Sequence, residues 1–166
     1  MNCYITSEYW MRIAVEVAKA STCRAQVGCV LVHKNTLVGM GYVGSVHGDW
    51  HCNEMCEVGD GNNDLVTDQH ILVKAPHRGS TTTGTTCIRT IHAEVNAILK
   101  CTVRGSHQNG WIDCYSTYQP CLDCTKMLLQ IGVRKIFYLK PYKDEWRDLF
   151  IERLSFDLES FAIKLG

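Results

Sequence analysis

Two short segments contain the residue types most able to do chemistry: 92–94, which reads His-Ala-Glu, and 120–124, which reads Pro-Cys-Leu-Asp-Cys. Cys121 and Cys124 lie three residues apart after a proline that favours a helix N-terminus, so both sulfurs face one point. The positive end of that helix and a metal ion would both favour their thiolates. With His92 they supply three protein ligands and leave a fourth position open. That pattern is typical of a catalytic zinc site, whereas a structural site is closed.

Glu94 follows His92 by two residues, and side chains two apart in mid-helix point about 200° away from each other. The pair can therefore serve one site only if the helix presents its first turn end-on. In that pose His92 binds the metal and Glu94 reaches past it. Zinc lowers the pKa of its water, and Glu94 takes the proton and passes it to a leaving group. A carboxylate beside the metal but not on it indicates hydrolysis.

The composition places these motifs in one ordinary globular domain, 1–166. The chain has 166 residues, 46% of them hydrophobic, with 17 basic and 17 acidic side chains and ten cysteines. These values exclude disorder, collagen-like repeats and a coiled coil, and the balanced charge disfavours a nucleic-acid partner. There is no apolar run of the ~18 residues a membrane span needs, and no secretory signal pattern. We therefore expect a cytoplasmic protein (the host cytoplasm if viral) without a membrane partner, whose cysteines bind metal rather than form disulfides.

Hydrophobic periodicity predicts an α/β fold. A helix over 7–20, with Ser7 as its N-cap, precedes a hairpin of two strands. Periodicity then disappears from residue 44 to residue 86, a long insertion that something should hold in place. The later elements alternate helix and strand, which favours parallel crossovers. The predicted ranges after the first helix are strands 27–33 and 37–43, helix 91–103, strand 111–117, helix 120–129, strand 135–139 and helix 144–154.

The same segments resemble the cytidine deaminase superfamily and, more closely, the deoxycytidylate (dCMP) deaminases. The resemblance runs from about residue 21 to residue 142. Its parts include Cys-x-Arg-Thr-Ile-His-Ala-Glu at 87–94 and Tyr-Ser-Thr-Tyr-Gln-Pro-Cys at 115–121. His-x-Glu with Pro-Cys-x-x-Cys is the zinc-deaminase signature and identifies the superfamily. The 87–94 run and the cysteine-bearing insertion are what single out the dCMP branch. The resemblance implies a three-layer α-β-α fold with a five-stranded mixed sheet and a zinc-tethered insertion of about 44–87.

The resemblance also implies an activity. His92, Cys121 and Cys124 would hold one catalytic zinc, and Glu94 would carry the proton. The activated water would add to C4 of cytosine and convert dCMP to dUMP and ammonia, which supplies dUMP for thymidylate synthesis. The enzyme would be a hydrolase acting on the C–N bond of a cyclic amidine.

The resemblance also implies a few residues that contact the substrate. The residue matching Tyr142 approaches the nucleotide in this family, and Ser45 is assigned to the same pocket. Ser116 and Thr117, at a strand end facing the zinc ligands, would line it. Phosphate binding needs cations, for which the sequence offers four without ranking them: Arg89, Arg104, Lys140 and Lys143.

Four further cysteines lie on segments that otherwise have no reason to be ordered: Cys23, Cys52, Cys56 and Cys87. A closed four-cysteine zinc site would tether the insertion, with a binding free energy of order 10 kcal/mol. Related deaminases hold such an extra zinc with varying ligands. His51 could replace one thiol, and His47 and His70 are weaker substitutes. For the remaining cysteines, Cys3, Cys29, Cys101 and Cys114, we expect small buried core positions.

One position departs from the family pattern. Members usually read Gly-Tyr/Trp-Asn-Gly where this chain has Val43 in place of the asparagine. In the family that motif belongs to regulation between subunits of a homo-hexamer, with dCTP as activator and dTTP as inhibitor, and a triphosphate effector would bring Mg²⁺. Valine can neither donate nor accept the hydrogen bonds of an asparagine side chain. Regulation is therefore either lost or altered, or the nucleotide contacts there have been rebuilt.

Four alternative functions would use some of the same residues. Another cytosine nucleotide, dCTP or a modified dCMP, would fit the same site. A transfer-RNA adenosine deaminase shares both motifs, but it would need a basic face, which a chain of zero net charge without a Lys/Arg cluster does not offer. A structural zinc-binding module has no use for Glu94. A thioredoxin-like role for Cys121 and Cys124 leaves both His92 and Glu94 unused.

Overall fold

The computed structural model describes residues 6–23, 25–48, 66–67, 70–76, 83–87 and 90–165. No helix in these ranges is long and apolar enough to cross a membrane. In chain order the elements within them are α1 (Ser7–Ala18), β1 (Gly28–His33), β2 (Thr36–Tyr42), β3 (Gly44–Ser45), β4 (Val66–Thr67), β5 (His70–Pro76), β6 (Thr83–Cys87), β7 (Thr90–Ile91), α2 (Ala93–Leu99), β8 (Ile112–Tyr118), α3 (Leu122–Gln130), β9 (Val133–Lys140), α4 (Glu145–Glu152) and β10 (Glu159–Ala162).

Five strands form one mixed sheet in the order β10-β9-β8-β1-β2. β8, β9 and β10 run parallel, and β1 is antiparallel to both β8 and β2. Lys34 and Asn35 turn the β1–β2 hairpin with positive φ angles of 48° and 60°, as a tight two-residue hairpin turn requires. The expected hairpin and five-stranded mixed sheet are therefore confirmed.

The sheet separates two apolar cores, because successive side chains of a strand point to opposite faces. Cys29 and Leu31 of β1 pack with α2 and α3 on one face. Val30 and Val32 pack with α1 on the other face. The described residues therefore form three layers, with one helix below the sheet and α2 and α3 above it. Cys29 and Cys114 are fully buried, as expected of core cysteines, and Cys101 is half-buried.

The tail, which periodicity left unassigned, adds the strand β10 to the sheet. Phe161 of β10 stacks on Phe137 of β9 with ring centroids 5.2 Å apart, and Phe137 stacks on Tyr115 of β8 at 4.7 Å. The three rings follow the register of the parallel strands, since Tyr115 is opposite Phe137 and Phe137 is opposite Phe161. Aromatic cross-strand packing of this kind stabilises strands with little other burial.

The structure corrects the predicted N-cap of α1 and the predicted end of α2. Thr6, not Ser7, caps α1, because the Thr6 hydroxyl accepts a hydrogen bond from the Tyr9 N–H at 3.4 Å. The helix predicted over 91–103 is shorter, since α2 ends at Leu99. The Thr102 N–H donates to the Val38 carbonyl of β2 at 3.2 Å, so the chain has already left the helix there.

The insertion contains strands where the lost periodicity predicts none. β5 pairs antiparallel with both β4 and β6, and β3 pairs with β7. A β-branched and apolar run at 71–73 and a threonine-rich run at 81–86 are the sequence signals that favour strands here. The β3–β7 pair concerns the site directly, because it ties Ser45 to Thr90, two residues before His92.

Close packing of α2 on the edge strand β2 fixes where the first turn of α2 lies. A Cβ atom on Gly41 would overlap the backbone of Ala93 and Ala97 in α2, so only glycine permits this approach. The Asn96 side chain then anchors the helix, because its amide donates to the Tyr42 carbonyl at 2.9 Å.

Substituting Gly41→Ala should lower the free energy of unfolding by about 1–3 kcal/mol, the usual cost of overpacking a tight contact. Gly44→Ala is the matched control, because its added methyl would meet the Tyr42 ring at an ordinary 3.5 Å. Urea unfolding of both variants measures the difference. If Gly41→Ala is as stable as Gly44→Ala, the close approach of α2 does not constrain the fold.

Candidate metal and catalytic site

His92 stands immediately before α2, at the N-cap position, with an extended backbone (φ −65°, ψ 152°). Its side chain makes no capping hydrogen bond, so the imidazole is available to another group. Its carbonyl accepts the Asn96 N–H at 3.0 Å, which closes the first helical turn. Glu94 lies in that first turn, which is the position that the predicted end-on pose requires.

Cys121 occupies the same position on α3. It is the N-cap, its backbone is extended (φ −71°, ψ 172°), and its side chain makes no capping hydrogen bond. Cys124 follows in the first turn of α3. The helix therefore begins at Leu122, two residues after the predicted start at Pro120. Two helix N-termini, each with a ligand-type residue at its N-cap, meet at one place.

The three donor side chains converge. His92 Nδ1 lies 3.3 Å from Cys124 Sγ and 3.6 Å from Cys121 Sγ. All three atoms lie within 4.8 Å of one another. Among the described residues, these three form the one cluster of His, Cys, Asp or Glu side chains that could hold a metal ion. One imidazole and two thiolates form a borderline-soft donor set that suits zinc. Cys124 is buried, Cys121 half-buried and His92 exposed, so the cluster opens to solvent on one side.

The site favours a thiolate before any metal binds. The Cys124 thiol lowers the pKa of Cys121 to about 4, and His92 contributes in the same direction. The contact with Cys121 raises the pKa of Cys124, so the pair shares one proton. The contact with Cys121 also raises the pKa of His92. A metal ion would displace the remaining protons, because its ligands bind in their deprotonated forms.

Glu94 is a buried carboxylate beside the cluster and is not one of its members. Its residue exposure is 4%, and one of its oxygens accepts a hydrogen bond from the Ser116 hydroxyl at 3.2 Å. Burial raises the pKa of Glu94 above its ordinary value. Ser116 itself is fully buried on β8. A side chain at this depth with a fixed partner is well placed to hold a proton and release it.

The other predicted pocket residues have partners of their own. The Thr117 hydroxyl accepts the Gly28 N–H at 3.1 Å, a bond between β8 and β1. Tyr142 is half-buried, and its N–H donates to the Gln119 side chain at 3.3 Å. Burial raises the pKa of the Tyr142 phenol, and the nearby Cys121 sulfur adds to this effect. Ser45 is half-buried in β3.

The predicted second zinc site falls mostly outside the described residues. Cys52 and Cys56 lie outside them, as do Cys3, His51 and Arg89. Cys23 is buried, Cys87 ends β6, and His70 begins β5. His47 is exposed. The six cysteines whose side chains are described form no disulfide: Cys23, Cys29, Cys101, Cys114, Cys121 and Cys124.

Val43 lies in a small apolar cluster. Its side chain packs with those of Cys23 and Val27 and is 8% exposed. Its backbone is held on both sides, because its N–H donates to the Val27 carbonyl at 3.0 Å and its carbonyl accepts the Ser21 hydroxyl at 2.6 Å. An apolar side chain thus fills a buried space where the family pattern has asparagine.

Sequence reasoning missed two buried charged residues beside the cluster. Asp144 and Arg147 are 2% and 3% exposed, respectively. The sequence places them only in an amphipathic helix. The available signal was an aspartate at a helix start three residues before an arginine, a common N-terminal pattern that by itself does not indicate burial.

Comparison with known proteins finds similarity to cytidine and deoxycytidylate deaminases. The family model described as cytidine and deoxycytidylate deaminase zinc-binding region matches residues 5–140. ComE operon protein 2 of Bacillus subtilis (strain 168) is 34% identical over 139 residues, 82% of this chain, and the chain spans 60% of that relative's length. Deoxycytidylate deaminase of Enterobacteria phage T4 is 29% identical over 163 residues, covering 84% of this chain and 81% of that protein.

The fold also matches a solved structure. The dCMP deaminase from the cyanophage S-TIM5, in complex with dCMP and dUMP, superposes with a TM-score of 0.63. The match covers 95% of this chain and 100% of that chain at 23% sequence identity. This likeness supports the three-layer fold with its five-stranded mixed sheet.

Replacing Cys121 by serine should weaken zinc binding by at least about tenfold, since even partners outside the coordination sphere change affinity by that much. Cys101→Ser is the control, because Cys101 lies outside the cluster and donates to the Val103 carbonyl, as a serine can. Competition with a chromogenic chelator measures both affinities. Equal affinities would show that this cluster does not hold the metal.

Proposed function

Because the chain belongs to the cytidine and deoxycytidylate deaminase zinc-binding family, we propose that it catalyses the hydrolytic deamination of dCMP to dUMP and ammonia. His92, Cys121 and Cys124 would hold the zinc ion. When bound, zinc acts as a Lewis acid that makes water a competent nucleophile at neutral pH.

One observation carries the proposal. Glu94 is a carboxylate buried next to a three-donor cluster, held by Ser116 and not needed as a ligand. A site that only stores metal or stabilises the fold gains nothing from a desolvated acid beside it. A hydrolytic site needs one, because the proton that leaves the water must reach the departing nitrogen.

The proposed reaction forms a C–O bond at C4 of the cytosine ring and breaks the C4–N bond. Glu94 accepts the two protons of the attacking water in turn, delivers the first to ring N3 and the second to the exocyclic amino group, and the amino group leaves as ammonia while the water oxygen becomes the C4 carbonyl. The raised pKa of Glu94 favours this exchange, because a carboxyl group desolvated by burial holds a proton more readily. The Ser116 hydroxyl keeps the carboxylate in one orientation throughout.

The choice of dCMP rests on the relatives. The phage T4 relative is named a deoxycytidylate deaminase, and this chain covers 81% of its length. The zero net charge of this chain also favours a small nucleotide, which needs a few local cations, over a polynucleotide.

We assign Tyr142 to the wall of the nucleotide pocket because its phenol lies within electrostatic reach of Cys121. The β3–β7 pair joins Ser45 to Thr90, two residues before His92, and Ser45 stays a predicted contact. Thr117 also stays a predicted substrate contact, although its hydroxyl already accepts a hydrogen bond from the Gly28 N–H of β1. Among the phosphate-binding cations predicted, Lys143 already pairs with Glu145 at 3.3 Å, and Lys140 donates to the Tyr118 hydroxyl at 3.4 Å.

We further propose that Cys23, Cys52, Cys56 and Cys87 hold a second zinc that tethers the insertion. The burial of Cys23, whose side chain packs with Val43, supports an anchor on the body of the domain. The homo-hexamer, the dCTP and dTTP effectors with Mg²⁺, and the cytoplasmic location remain predictions from the family resemblance and the composition.

Purified protein should release ammonia from dCMP, and Glu94→Gln should retain zinc while losing activity by a factor of about 10²–10⁴, because the amide cannot carry a proton. The assay compares dCMP with dCTP, cytidine and transfer RNA and measures zinc in each sample. No turnover of dCMP by the zinc-loaded protein would refute the proposed function. Full activity in Glu94→Gln would show that another group moves the proton.

Elemental analysis should find about two zinc ions per chain in the unmodified protein and about one in Cys87→Ser, because removing one ligand opens a closed site. Cys101→Ser should keep both ions. A value near one for the unmodified protein would eliminate the second site.

A further inference from the structure

Cys121 has two roles at the N-terminus of α3, because it is the N-cap residue of the helix and a member of the donor cluster. The first N–H groups of any helix lack intrahelical partners, and the N-cap side chain ordinarily satisfies one of them. Here the N-cap is Cys121, whose sulfur belongs to the donor cluster and makes no capping bond. Another group can therefore satisfy an N–H of the helix start while the sulfur stays in the donor cluster.

Asp144 supplies that group from a distant part of the chain. Its Oδ2 atom accepts the Leu122 N–H at 2.8 Å, and Leu122 is the first residue of α3. Its Oδ1 atom accepts the Arg147 N–H at 3.0 Å in the first turn of α4. One buried carboxylate thus caps two helices, and it does so directly beside Cys121.

Arg147 holds the other side of Cys121. Its Nη1 atom donates to the Pro120 carbonyl at 3.1 Å and to the Tyr142 carbonyl at 2.8 Å. Its Nε and Nη2 atoms both donate to Asp148 Oδ1, at 2.9 and 2.7 Å. The guanidinium is therefore fixed in one orientation, with its charge balanced by Asp148. It joins the segment before Cys121 to the segment that carries Tyr142.

We propose that Asp144 and Arg147 are positioning residues that set the place of Cys121 at the metal site. Asp144 satisfies the first N–H of α3 and so holds the backbone next to Cys121 while the Cys121 sulfur serves zinc. Arg147 fixes the residue on the other side of Cys121 and ties it to the Tyr142 segment. The inference rests on the proposed function only in taking His92, Cys121 and Cys124 as the ligands of zinc.

The test measures the rate at which zinc leaves the holoprotein for an excess of a chromogenic chelator, without nucleotide and well below the unfolding temperature of each variant. The kinetic phase of zinc release that is absent in Cys121→Ser is the one that comes from this site. Asp144→Ala should accelerate that phase by about 10- to 100-fold, as loss of an outer partner of a ligand typically does. Asp144→Asn, which retains one carbonyl acceptor, should fall between Asp144→Ala and the unmodified protein.

Thr6→Ala is the matched control, because it removes a side-chain cap from α1 and touches no residue of the site. It should lower the unfolding temperature without changing zinc release. Zinc release from Asp144→Ala at the unmodified rate would overturn the proposal, and so would acceleration in Thr6→Ala equal to that in Asp144→Ala. If Asp144→Ala does not fold, Asp144→Asn decides in the same assay, and an unmodified rate there overturns the proposal.

Arg147→Met tests the proposed positioning role of Arg147. It should accelerate zinc release and also raise the KM for dCMP, because both neighbouring segments lose their anchor, and Arg147→Lys should partly restore both. An unchanged zinc release rate in Arg147→Met would exclude Arg147 from the positioning role. Since zinc release needs no substrate, a protein that fails to deaminate dCMP yet shows these release rates refutes the proposed function and leaves this proposal standing.

Discussion

Convergence of two helix N-termini on one face of the sheet is the constraint on which the site depends. His92 and Cys121 are both N-cap residues with extended backbones, so each side chain leaves its helix at the end rather than at the side. Only this arrangement lets the side chains of His92 and Glu94, which are two residues apart, reach the same site. The glycine Gly41 allows α2 to approach β2 closely enough to bring its first turn there. The positive ends of both helices then stabilise thiolate and carboxylate charge.

Glu94 is more deeply buried than two of the metal-binding residues, His92 and Cys121. The sulfur and nitrogen donors lie along a gradient from the core to solvent, which leaves the cluster open on one side. Glu94 lies on the closed side, where desolvation raises its pKa and Ser116 fixes one of its oxygens. A carboxylate in water would spend most of its time ionised and freely rotating. The packing of β8 against α2 therefore gives Glu94 the burial and the raised pKa that the proposed proton transfer requires.

Sequence reasoning was most successful where the chemistry is local. The donor types, their spacing, the end-on pose of α2 and the alternation of helix and strand could be predicted because each depends on a few neighbouring residues. The Ser116–Glu94 contact and the capping of α3 by Asp144 join residues 22 positions apart in sequence. Such contacts depend on register and on the packing of whole elements, which periodicity does not fix. The strands of the insertion escaped prediction because they are short and lack alternation.

The central claim is that His92, Cys121 and Cys124 bind one zinc and that Glu94 stays off the metal to serve the substrate. An anomalous-difference map recorded at the zinc absorption edge, from crystals grown with dUMP, tests it most directly. We expect a peak bonded to His92 Nδ1 and to both sulfurs, with the Glu94 carboxylate hydrogen-bonded to the pyrimidine ring. A peak bonded to Glu94, or no peak among these three donors, would contradict it.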